Sequence, residues 1–379
     1  MKKIQMVDLV SQYEEIQEEV DRAISDVIRS SAFINGPDVK AFQEELEEYL
    51  GVRHVIPCGN GTDALQIAMM ALDLKPGDEV ITSDFTFVAT AEVIGLLQLV
   101  PVLVDVDPDT FNIDPEAIRA AITDKTKAIV PVHLFGQSAP MEEILKIAKE
   151  HDLYVIEDNA QAIGADYTFG DGKTGKAGTL GHVGTTSFFP SKNLGAYGDG
   201  GALFTNDDAL AARIRSIANH GSTERYYHDH IGVNSRLDSI QAAVLRIKLR
   251  RLKEYSARRR QTADFYDAAF AGIPQLKTPV RFERSTHEFH QYTLQVGDGL
   301  RDALRAHLAE HDIPSMIYYP VPLHLQKAYK DDRYNAGDFP VTEALCDTVL
   351  SLPMQTELDR EQLEHITETV KSFFNSPNK

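Results

Sequence analysis

Residues 54–83 of the chain, HVIPCGNGTDALQIAMMALDLKPGDEVITS, decide its fold. The stretch contains an apolar run over 54–58, a glycine-rich turn, a helical pattern over 63–72 and a second apolar run over 78–83. Two short apolar runs joined through a helix are typical of a βαβ unit, in which both strands lie parallel in one sheet. The stretch therefore predicts an α/β domain with a mostly parallel sheet.

The same alternation continues to residue 206. Further strands are predicted in VPVLVDV (100–106), KAIVPVHLF (127–135), LYVIEDN (153–159) and GALFTN (201–206), and a further helix over 140–151. A long helix follows Asp238, which begins an Asp-Ser-Ile-Gln sequence that resembles a capping box.

A smaller unit follows the long helix. A strand over 290–296, a helix over 299–311 and a terminal helix from Asp359 predict an α+β arrangement. We expect a large domain over residues 1–250 and a small C-terminal α+β domain over residues 251–379. The N-terminal segment is expected to pack on the small domain.

Composition limits the classes of partner. The chain has 379 residues, two cysteines and a formal net charge of −19, which argues against nucleic-acid binding. Proline or charged residues interrupt the apolar windows before they reach the length of a membrane span. The cysteines follow no metal-ligand spacing, and the N-terminus has no apolar signal core. We expect a cytoplasmic protein with no metal ion and no membrane partner.

The turn Gly59-Asn60-Gly61-Thr62-Asp63 opens the first helix of the predicted sheet domain. Backbone amides at a helix start point outward and attract anions, so the turn predicts a phosphate site. With Ala64 the turn also satisfies a dinucleotide fingerprint, and Asp78 and Glu79 lie near its expected acidic position. A nicotinamide-dependent oxidoreductase is therefore an open alternative.

Three other features suit an aromatic aldehyde cofactor. Asp158 ends a predicted parallel strand and should face the ligand crevice, whereas Glu157 should face the opposite way. Lys192 lies in a run that carries no other charge from 185 to 198, where desolvation would make its amine a better nucleophile. The DFTFVAT segment at 84–90 offers two rings for stacking. Together with the phosphate turn, these residues suit pyridoxal 5′-phosphate.

Five motifs carry a family resemblance: GNGTDAL, KPGDEVITSDFTFVAT, EDNAQAIGA, TSFFPSKNLGAYGDGGA and GVNSRLDSIQAA. Over nearly its whole length the chain resembles sugar aminotransferases of the DegT/DnrJ/EryC1/StrS family. The resemblance implies fold type I of the pyridoxal phosphate enzymes, and it assigns roles by position. Lys192 would form the Schiff base, Asp158 would pair with the pyridine nitrogen, Gln161 would lie by the phenolic oxygen and Phe87 would stack on the ring. Gly61, Thr62 and Ser187 would hold the phosphate, with Asn234 reaching it from the partner in a homodimer that shares its active sites.

The resemblance also implies a substrate pair. L-glutamate would leave its amino group on the cofactor as pyridoxamine 5′-phosphate, and a keto sugar on a nucleotide would receive it. The most similar members aminate C3 of UDP-2-acetamido-3-keto-hexuronic acids for surface polysaccharides such as lipopolysaccharide. Arg236 would then pair with the sugar carboxylate. Tyr318, Tyr319 and His324 lie in a segment that resembles the substrate loop.

Several points stay open at this stage. Tyr318 stands where the family often has histidine, which leaves the sugar undecided. A 4-aminotransferase acting on a UDP- or dTDP-4-keto-deoxy sugar and a noncatalytic regulator are the other candidates. The YYHDH run at 226–230 is expected in a substrate or interface loop, and the segment 168–184 in a surface excursion.

Overall fold

The protein is described by a computed structural model that covers residues 2–375. Its strands are β1 His54–Cys58, β2 Glu79–Ser83, β3 Val100–Val104, β4 Thr126–Val130, β5 Tyr154–Asp158, β6 Asp166–Thr168, β7 Thr174–Lys176, β8 Val183–Ser187, β9 Gly201–Thr205, β10 Ser222–Glu224, β11 Tyr227–His228, β12 Leu276–Lys277, β13 Tyr292–Val296 and β14 Val349–Leu352. Its α-helices are α1 Leu9–Ser30, α2 Pro37–Leu50, α3 Gly61–Ala71, α4 Ala89–Leu96, α5 Pro115–Ala121, α6 Met141–Glu150, α7 Asp208–Ala218, α8 Ser239–Phe270, α9 Arg301–Glu310, α10 Pro340–Thr348 and α11 Arg360–Asn375. Within residues 2–375, none of these helices combines the length and the apolarity needed to cross a membrane.

Seven strands form the central sheet, in the order β1-β9-β8-β5-β4-β2-β3. Strands β8, β5, β4, β2 and β3 pair in parallel, and β9 pairs antiparallel with both β8 and β1. It follows that β1 points the same way as the five parallel strands and that β9 is reversed. The carboxyl ends of six strands and the amino end of β9 therefore share one edge of the sheet. This mostly parallel sheet confirms the predicted α/β class.

Apolar clusters cover both faces of the sheet. One cluster joins the sheet to α3, α4 and α7 through Ile67, Val93 and Ile214, and the other joins it to α5 and α6 through Ile118 and Ile144. All five side chains are fully buried. Because helices cover both faces, the strands read as continuous apolar runs, which is why most of them could be found in the sequence.

Helix α8 connects the two parts of the molecule. Its first half packs Leu245 against α2, and its second half packs Phe270 against the small sheet β12-β13-β14. The predicted domain boundary at residue 250 thus falls inside one continuous helix. Asp238 takes the N-cap position but its side chain accepts no cap hydrogen bond, so the predicted capping box is wrong. The Gln241 side chain instead bonds the backbone of Tyr197, with its oxygen 2.8 Å from the Tyr197 amide.

The N-terminal segment contacts residues that follow α8. Ile4 lies in the apolar cluster that contains Tyr292 and Ile366. The amide of Met354 donates to the carbonyl of Met6 at 3.4 Å. These contacts connect the start of the chain to the region after α8.

The segment 168–184, predicted as a surface excursion, runs from the end of β6 through β7 to the start of β8. The prediction is wrong for its last two residues, because β8 belongs to the central sheet. Between β7 and β8 the amides of Gly178, Leu180 and Gly181 donate to the buried Glu157 carboxylate at 2.8, 2.6 and 2.6 Å. Nε2 of His133 lies 2.8 Å from the same carboxylate. Glu157 therefore faces away from the ligand edge and anchors the chain that leads into β8.

Candidate active site

The shared edge of the sheet opens into a cavity of about 660 Å³. Loops after β1, β2, β4, β5 and β8 line it, as expected because α/β sheets bind ligands at the carboxyl ends of their strands. Nine of the residues singled out in the sequence line this cavity: Gly61, Thr62, Phe87, Asp158, Gln161, Ser187, Lys192, Tyr318 and Tyr319. The fold thus brings residues from distant parts of the chain to one site.

Lys192 lies in the loop between β8 and β9, where its amide donates to the carbonyl of Phe189 at 2.8 Å. Desolvation in the cavity lowers the pKa of the Lys192 amine to about 8, although the nearby Asp158 carboxylate acts in the opposite direction. The loss of hydration outweighs the attraction because one carboxylate compensates only part of it. Lys192 therefore has a much larger neutral fraction near pH 8 than a solvated lysine, which suits a nucleophile and base.

Asp158 is held in place at the carboxyl end of β5. Its Oδ2 accepts a hydrogen bond from Thr90 Oγ1 at 2.8 Å, and its Oδ1 accepts one from the amide of Ala160 at 3.1 Å. Its backbone amide donates to Pro131 at 2.9 Å, and its carbonyl accepts from His133 at 3.0 Å. The carboxylate thus has a fixed orientation without a ligand.

Gln161 links two loops that face the cavity. Its Oε1 accepts a hydrogen bond from the amide of Phe135 at 2.7 Å, and its Nε2 donates to Tyr319 Oη at 3.1 Å. Burial raises the pKa of the Tyr319 hydroxyl, so that group stays protonated at neutral pH. Gln161 therefore connects the loop after β5 to the Tyr318–Tyr319 segment.

The glycine turn forms an anion site at the N-terminus of α3. Asn60 caps the helix by accepting from the amide of Asp63 at 2.8 Å. In the described part of the chain, the amides of Gly61 and Thr62 donate to no backbone or side-chain acceptor. A Cβ at Gly61 would lie 2.7 Å from Cβ of Ser187, so glycine is required for this close approach. Two unused amides and the Ser187 hydroxyl therefore remain available to a phosphate.

The two rings of the DFTFVAT segment differ in position. Phe85 is buried and packs edge-on against Phe135 at 6.3 Å between centroids. Phe87 lines the cavity and is 55% exposed. Phe87 is therefore the ring that is free to stack on a ligand.

Two predicted residues do not reach the cavity of their own chain. Asn234 is exposed, and Arg236 is half-buried outside the cavity lining. Between them, buried Ser235 accepts from the amide of Gly59 at 2.8 Å and donates to Asp63 at 2.6 Å. The segment is thus anchored behind the glycine turn, with Asn234 directed to the surface.

The prediction that His324 contacts substrate is wrong for this chain. His324 is 3% exposed and does not line the cavity. Its Nδ1 lies 2.6 Å from Asp84 Oδ2, and its backbone amide donates to Asp84 Oδ1 at 2.7 Å. Asp84 thus holds the His324 ring at a buried position outside the cavity lining.

Sequence analysis missed several cavity residues, of which His290 is the most informative. His290 is 6% exposed, lies at the cavity wall, and its Nδ1 has no partner among residues 2–375. Burial, with Lys192 and Arg259 nearby, lowers the pKa of the His290 ring well below its usual range, so the ring is neutral. Gln291 and Asp199 also line the cavity. His290 and Gln291 lie in a predicted strand and Asp199 lies in the motif that contains Lys192, but no pattern singled out these side chains.

The YYHDH run forms part of an exposed hairpin, β10–β11. Tyr226 and Tyr227 are 79% and 67% exposed. In residues 2–375 no group of three metal-ligating side chains comes together, here or elsewhere. The hairpin thus presents aromatic and charged side chains to the surface.

The nicotinamide alternative is wrong. Asp78 and Glu79 lie at the start of β2, which is the edge opposite to the glycine turn. The Asp78 carboxylate accepts from the amide of Lys75 at 2.7 Å, and Glu79 bonds Thr126 at 3.3 Å. No acidic side chain from these positions can reach a ribose at the glycine turn.

The cavity fits pyridoxal 5′-phosphate. The amides of α3 and Ser187 suit its phosphate, Asp158 its ring nitrogen, Phe87 its ring face and Lys192 its aldehyde. When bound, this cofactor supplies the electron sink that amino-group transfer requires. The fold and this set of side chains define a pyridoxal phosphate-dependent transferase.

Comparison with known proteins gives the family. The chain matches the DegT/DnrJ/EryC1/StrS aminotransferase family over residues 14–371. It is 48% identical to a pleiotropic regulatory protein of Geobacillus stearothermophilus over 98% of each chain. It is 44% identical to the UDP-2-acetamido-2-deoxy-3-oxo-D-glucuronate aminotransferase of Pseudomonas aeruginosa, over 96% of this chain and 98% of the relative. The X-ray structure of S. venezuelae DesV in complex with a ketimine intermediate has a TM-score of 0.95 at 37% identity, covering 99% of this chain and 100% of DesV. The chain belongs to the DegT/DnrJ/EryC1/StrS aminotransferase family.

Proposed function

We propose that this enzyme transfers the amino group of L-glutamate to C3 of UDP-2-acetamido-3-keto-glucuronic acid, for an amino sugar of a surface polysaccharide assembled from cytoplasmic precursors. The observation that carries the transaminase chemistry is the desolvated Lys192 amine beside Asp158 in one cavity. The choice of sugar is supported by the Pseudomonas aeruginosa relative, whose name states such a substrate. Arg236 supports it because guanidinium groups pair well with carboxylates.

Lys192 is the proton carrier in this proposal. With a pKa of about 8, part of the Lys192 amine is neutral at neutral pH, so it could take a proton from the substrate carbon and give it up to the cofactor carbon. Asp158, held by Thr90 and Ala160, would favour positive charge on the ring nitrogen of a bound cofactor. Both half-reactions would use the same residues, and the second would run the steps of the first in reverse.

Charge balance supports a homodimer with shared sites. L-glutamate carries two carboxylates and a nucleotide sugar carries a diphosphate, yet Lys192 is the one lysine or arginine among the described residues that line the cavity. Further cations must therefore come from outside the protomer's own cavity. Asn234 and Arg236 of a partner subunit would supply a donor to the cofactor phosphate and a cation to the sugar acid. Exposed Phe87 and Phe189, 55% and 52% accessible at the cavity, are consistent with coverage by a second subunit.

Two other functions compete with this proposal. A 4-aminotransferase would use the same lysine and aspartate, and Tyr318 at the cavity wall gives no preference between ring positions. A noncatalytic regulator is suggested by the name of the Geobacillus stearothermophilus relative. Against the regulator, this chain has Lys192, Asp158 and Gln161 together in the cavity.

The first experiment is a visible spectrum of the purified protein with pyridoxal phosphate, before and after L-glutamate is added. We expect a visible absorption band that disappears when L-glutamate is added. A band that does not change when L-glutamate is added would contradict L-glutamate as the amino donor. The absence of a band would contradict the transaminase function.

A substrate panel then tests the sugar. It compares 3-keto and 4-keto UDP sugars, each with and without a carboxylate at C6. We expect amination of the 3-keto acid, and we expect Arg236→Ala to impair that reaction more than amination of the neutral 3-keto sugar. Equal loss on both sugars would contradict the role of Arg236 toward the carboxylate.

A further inference from the structure

A buried hydrogen-bonded pair, Asp84 and His324, joins two loops that meet at the cavity. Asp84 is 1% exposed and follows β2, and His324 is 3% exposed and follows the Tyr318–Tyr319 segment. Both carboxylate oxygens are used: Oδ1 accepts from the His324 amide at 2.7 Å and Oδ2 accepts from Nδ1 at 2.6 Å. The Asp84 carbonyl also accepts from the amide of Leu323 at 3.3 Å. Three hydrogen bonds thus fasten one loop to the other.

Each of these loops carries an aromatic wall of the cavity. Phe87 lies three residues after Asp84, and Tyr319 lies five residues before His324. The Tyr319 ring contacts Phe85 at 5.9 Å and Phe87 at 6.4 Å between centroids. The relative position of Phe87 and Tyr319 therefore depends on how the two loops are joined.

Asp84 is the main polar partner of the His324 ring. Nε2 of the His324 ring lies 3.4 Å from Oε1 of Glu343 but makes no hydrogen bond within residues 2–375. The ring packs on Phe339 at 4.8 Å between centroids. The hydrogen bond from Nδ1 to Asp84 thus sets the orientation of the imidazole.

We propose that the Asp84–His324 pair positions Phe87 and Tyr319 against the cofactor and the sugar. His324 acts through these loops and does not touch substrate, so it is a positioning residue. This inference rests on the proposed function for the sugar, but its effect on cofactor binding does not depend on which sugar is used.

His324→Gln and His324→Asn separate positioning from simple packing. The Asn side-chain nitrogen takes the place of Nδ1 and can still donate to Asp84, whereas the Gln nitrogen lies near the place of Nε2. We expect His324→Gln to raise the dissociation constant of pyridoxal phosphate and the KM of the sugar about tenfold, the effect of losing one charge-assisted hydrogen bond. His324→Asn should restore both values to near those of the wild type.

Asp105 offers a matched control. It follows β3 as Asp84 follows β2, and it accepts from the amides of Val341 and Thr342 at 3.0 and 2.8 Å, but these bonds hold α10 and not the loop that carries Tyr319 and His324. Asp84→Asn and Asp105→Asn should both lower the melting temperature. Asp84→Asn alone should weaken cofactor binding, because Asn cannot accept on both of its side-chain atoms.

Cofactor binding is measured by absorbance titration of the cofactor-free protein, and stability by thermal unfolding. The proposal is overturned if His324→Gln binds the cofactor as the wild type does, or if His324→Asn is as impaired as His324→Gln. It is equally overturned if Asp105→Asn weakens cofactor binding as much as Asp84→Asn. If no sugar of the panel reacts with the wild type, the proposed substrate fails, while the cofactor titration still tests the positioning pair. Asp84→Asn keeps the test available if His324→Gln does not fold.

Discussion

Lys192 is subject to two opposing electrostatic effects. Burial favours its neutral amine and Asp158 favours its ammonium form, and the balance lies at a pKa of about 8. In the cofactor-free protein, the rate at which Lys192 reacts with pyridoxal phosphate should therefore rise with pH and level off above about 8. Asp158→Asn removes the group that raises the pKa, so the midpoint should move to lower pH. Stopped-flow absorbance measures both profiles, and a midpoint near that of a solvated lysine or a shift to higher pH would contradict the assignment.

Lys248 is a second buried lysine, and we expect it to destabilise the protein. It is 1% exposed on α8, its Nζ has no hydrogen-bond partner within residues 2–375, and it lies 4.4 Å from the centroid of the Tyr197 ring. Burial lowers the pKa of Lys248 to about 8. Because the unfolded chain holds this proton more tightly, the cost is complete below about pH 8 and disappears as the pH rises toward the unfolded value.

Lys248→Met should therefore raise the free energy of unfolding at neutral pH by up to about 3 kcal/mol. The gain should shrink between pH 8 and pH 10. Lys253→Met, at an exposed position of the same helix, is the control and should change stability little. Urea denaturation at the two pH values measures the difference, and a gain that does not depend on pH would show that folding does not lower the pKa of Lys248.

Residue identity alone could not assign His324. Lys192 and Asp158 could be predicted because they occur together with a phosphate turn and a ring for stacking, a combination that suits one cofactor. A histidine in a loop has several uses, and its role depends on Asp84, which lies far away in sequence and meets it only in the folded chain. Thr90 was missed for the same reason, since its bond to Asp158 exists only where α4 begins beside β5.

At the scale of elements, the start of α3 is the part of the site that is most sensitive to shape. A Cβ at Gly61 would lie 2.7 Å from Cβ of Ser187, whereas a Cβ at Gly95 in α4 would meet nothing within 4 Å. Gly61→Ala should therefore weaken binding of pyridoxal phosphate at least tenfold, because Ser187 must move away from the anion site. Gly95→Ala should leave binding unchanged and stabilise the protein by about 0.5–1 kcal/mol. Cofactor titration and thermal unfolding test the pair, and equal binding by both variants would contradict the anion site.

Strands that bury apolar side chains on both faces of the sheet were the most predictable elements. The runs that became β1, β2, β3, β4, β5 and β9 are continuous because both faces of the sheet are covered. Strand β8 escaped detection because VGTTS has one large apolar residue, and its burial comes from pairing with β5 and β9 rather than from side chains of its own. The capping box at Asp238 failed because Gln241 bonds Tyr197 instead of the helix start.

At the scale of the whole molecule, mixing of inactive subunits tests whether the site is shared. Lys192→Ala and Arg236→Ala homodimers should each lack activity on the sugar acid. If Arg236 serves the partner's cavity, a mixed dimer has one complete site, and random reassociation should restore about a quarter of wild-type activity. If Arg236 acts within its own chain, or if it only stabilises the fold, mixing restores nothing. Size-exclusion chromatography with light scattering checks that the wild type forms the proposed homodimer and that both variants do so too.

The domain organisation is the least predictable feature at this scale. Helix α8 belongs to both apolar clusters, so no break in composition marks where one domain ends. Ile4 packs in one apolar cluster with residues near the other end of the chain, such as Ile366. No local sequence pattern can reveal a contact between segments so far apart.

The anchoring of the chain by Glu157 has a consequence for how this enzyme can diversify. Asp158 faces the cavity, while its neighbour Glu157 accepts hydrogen bonds from Gly178, Leu180 and Gly181 on the opposite side. Changes in the length of the β6–β7 hairpin are therefore absorbed before the chain reaches β8 and Lys192. Insertions at that hairpin offer evolution, or an engineer, a place to attach a new peptide without altering catalysis.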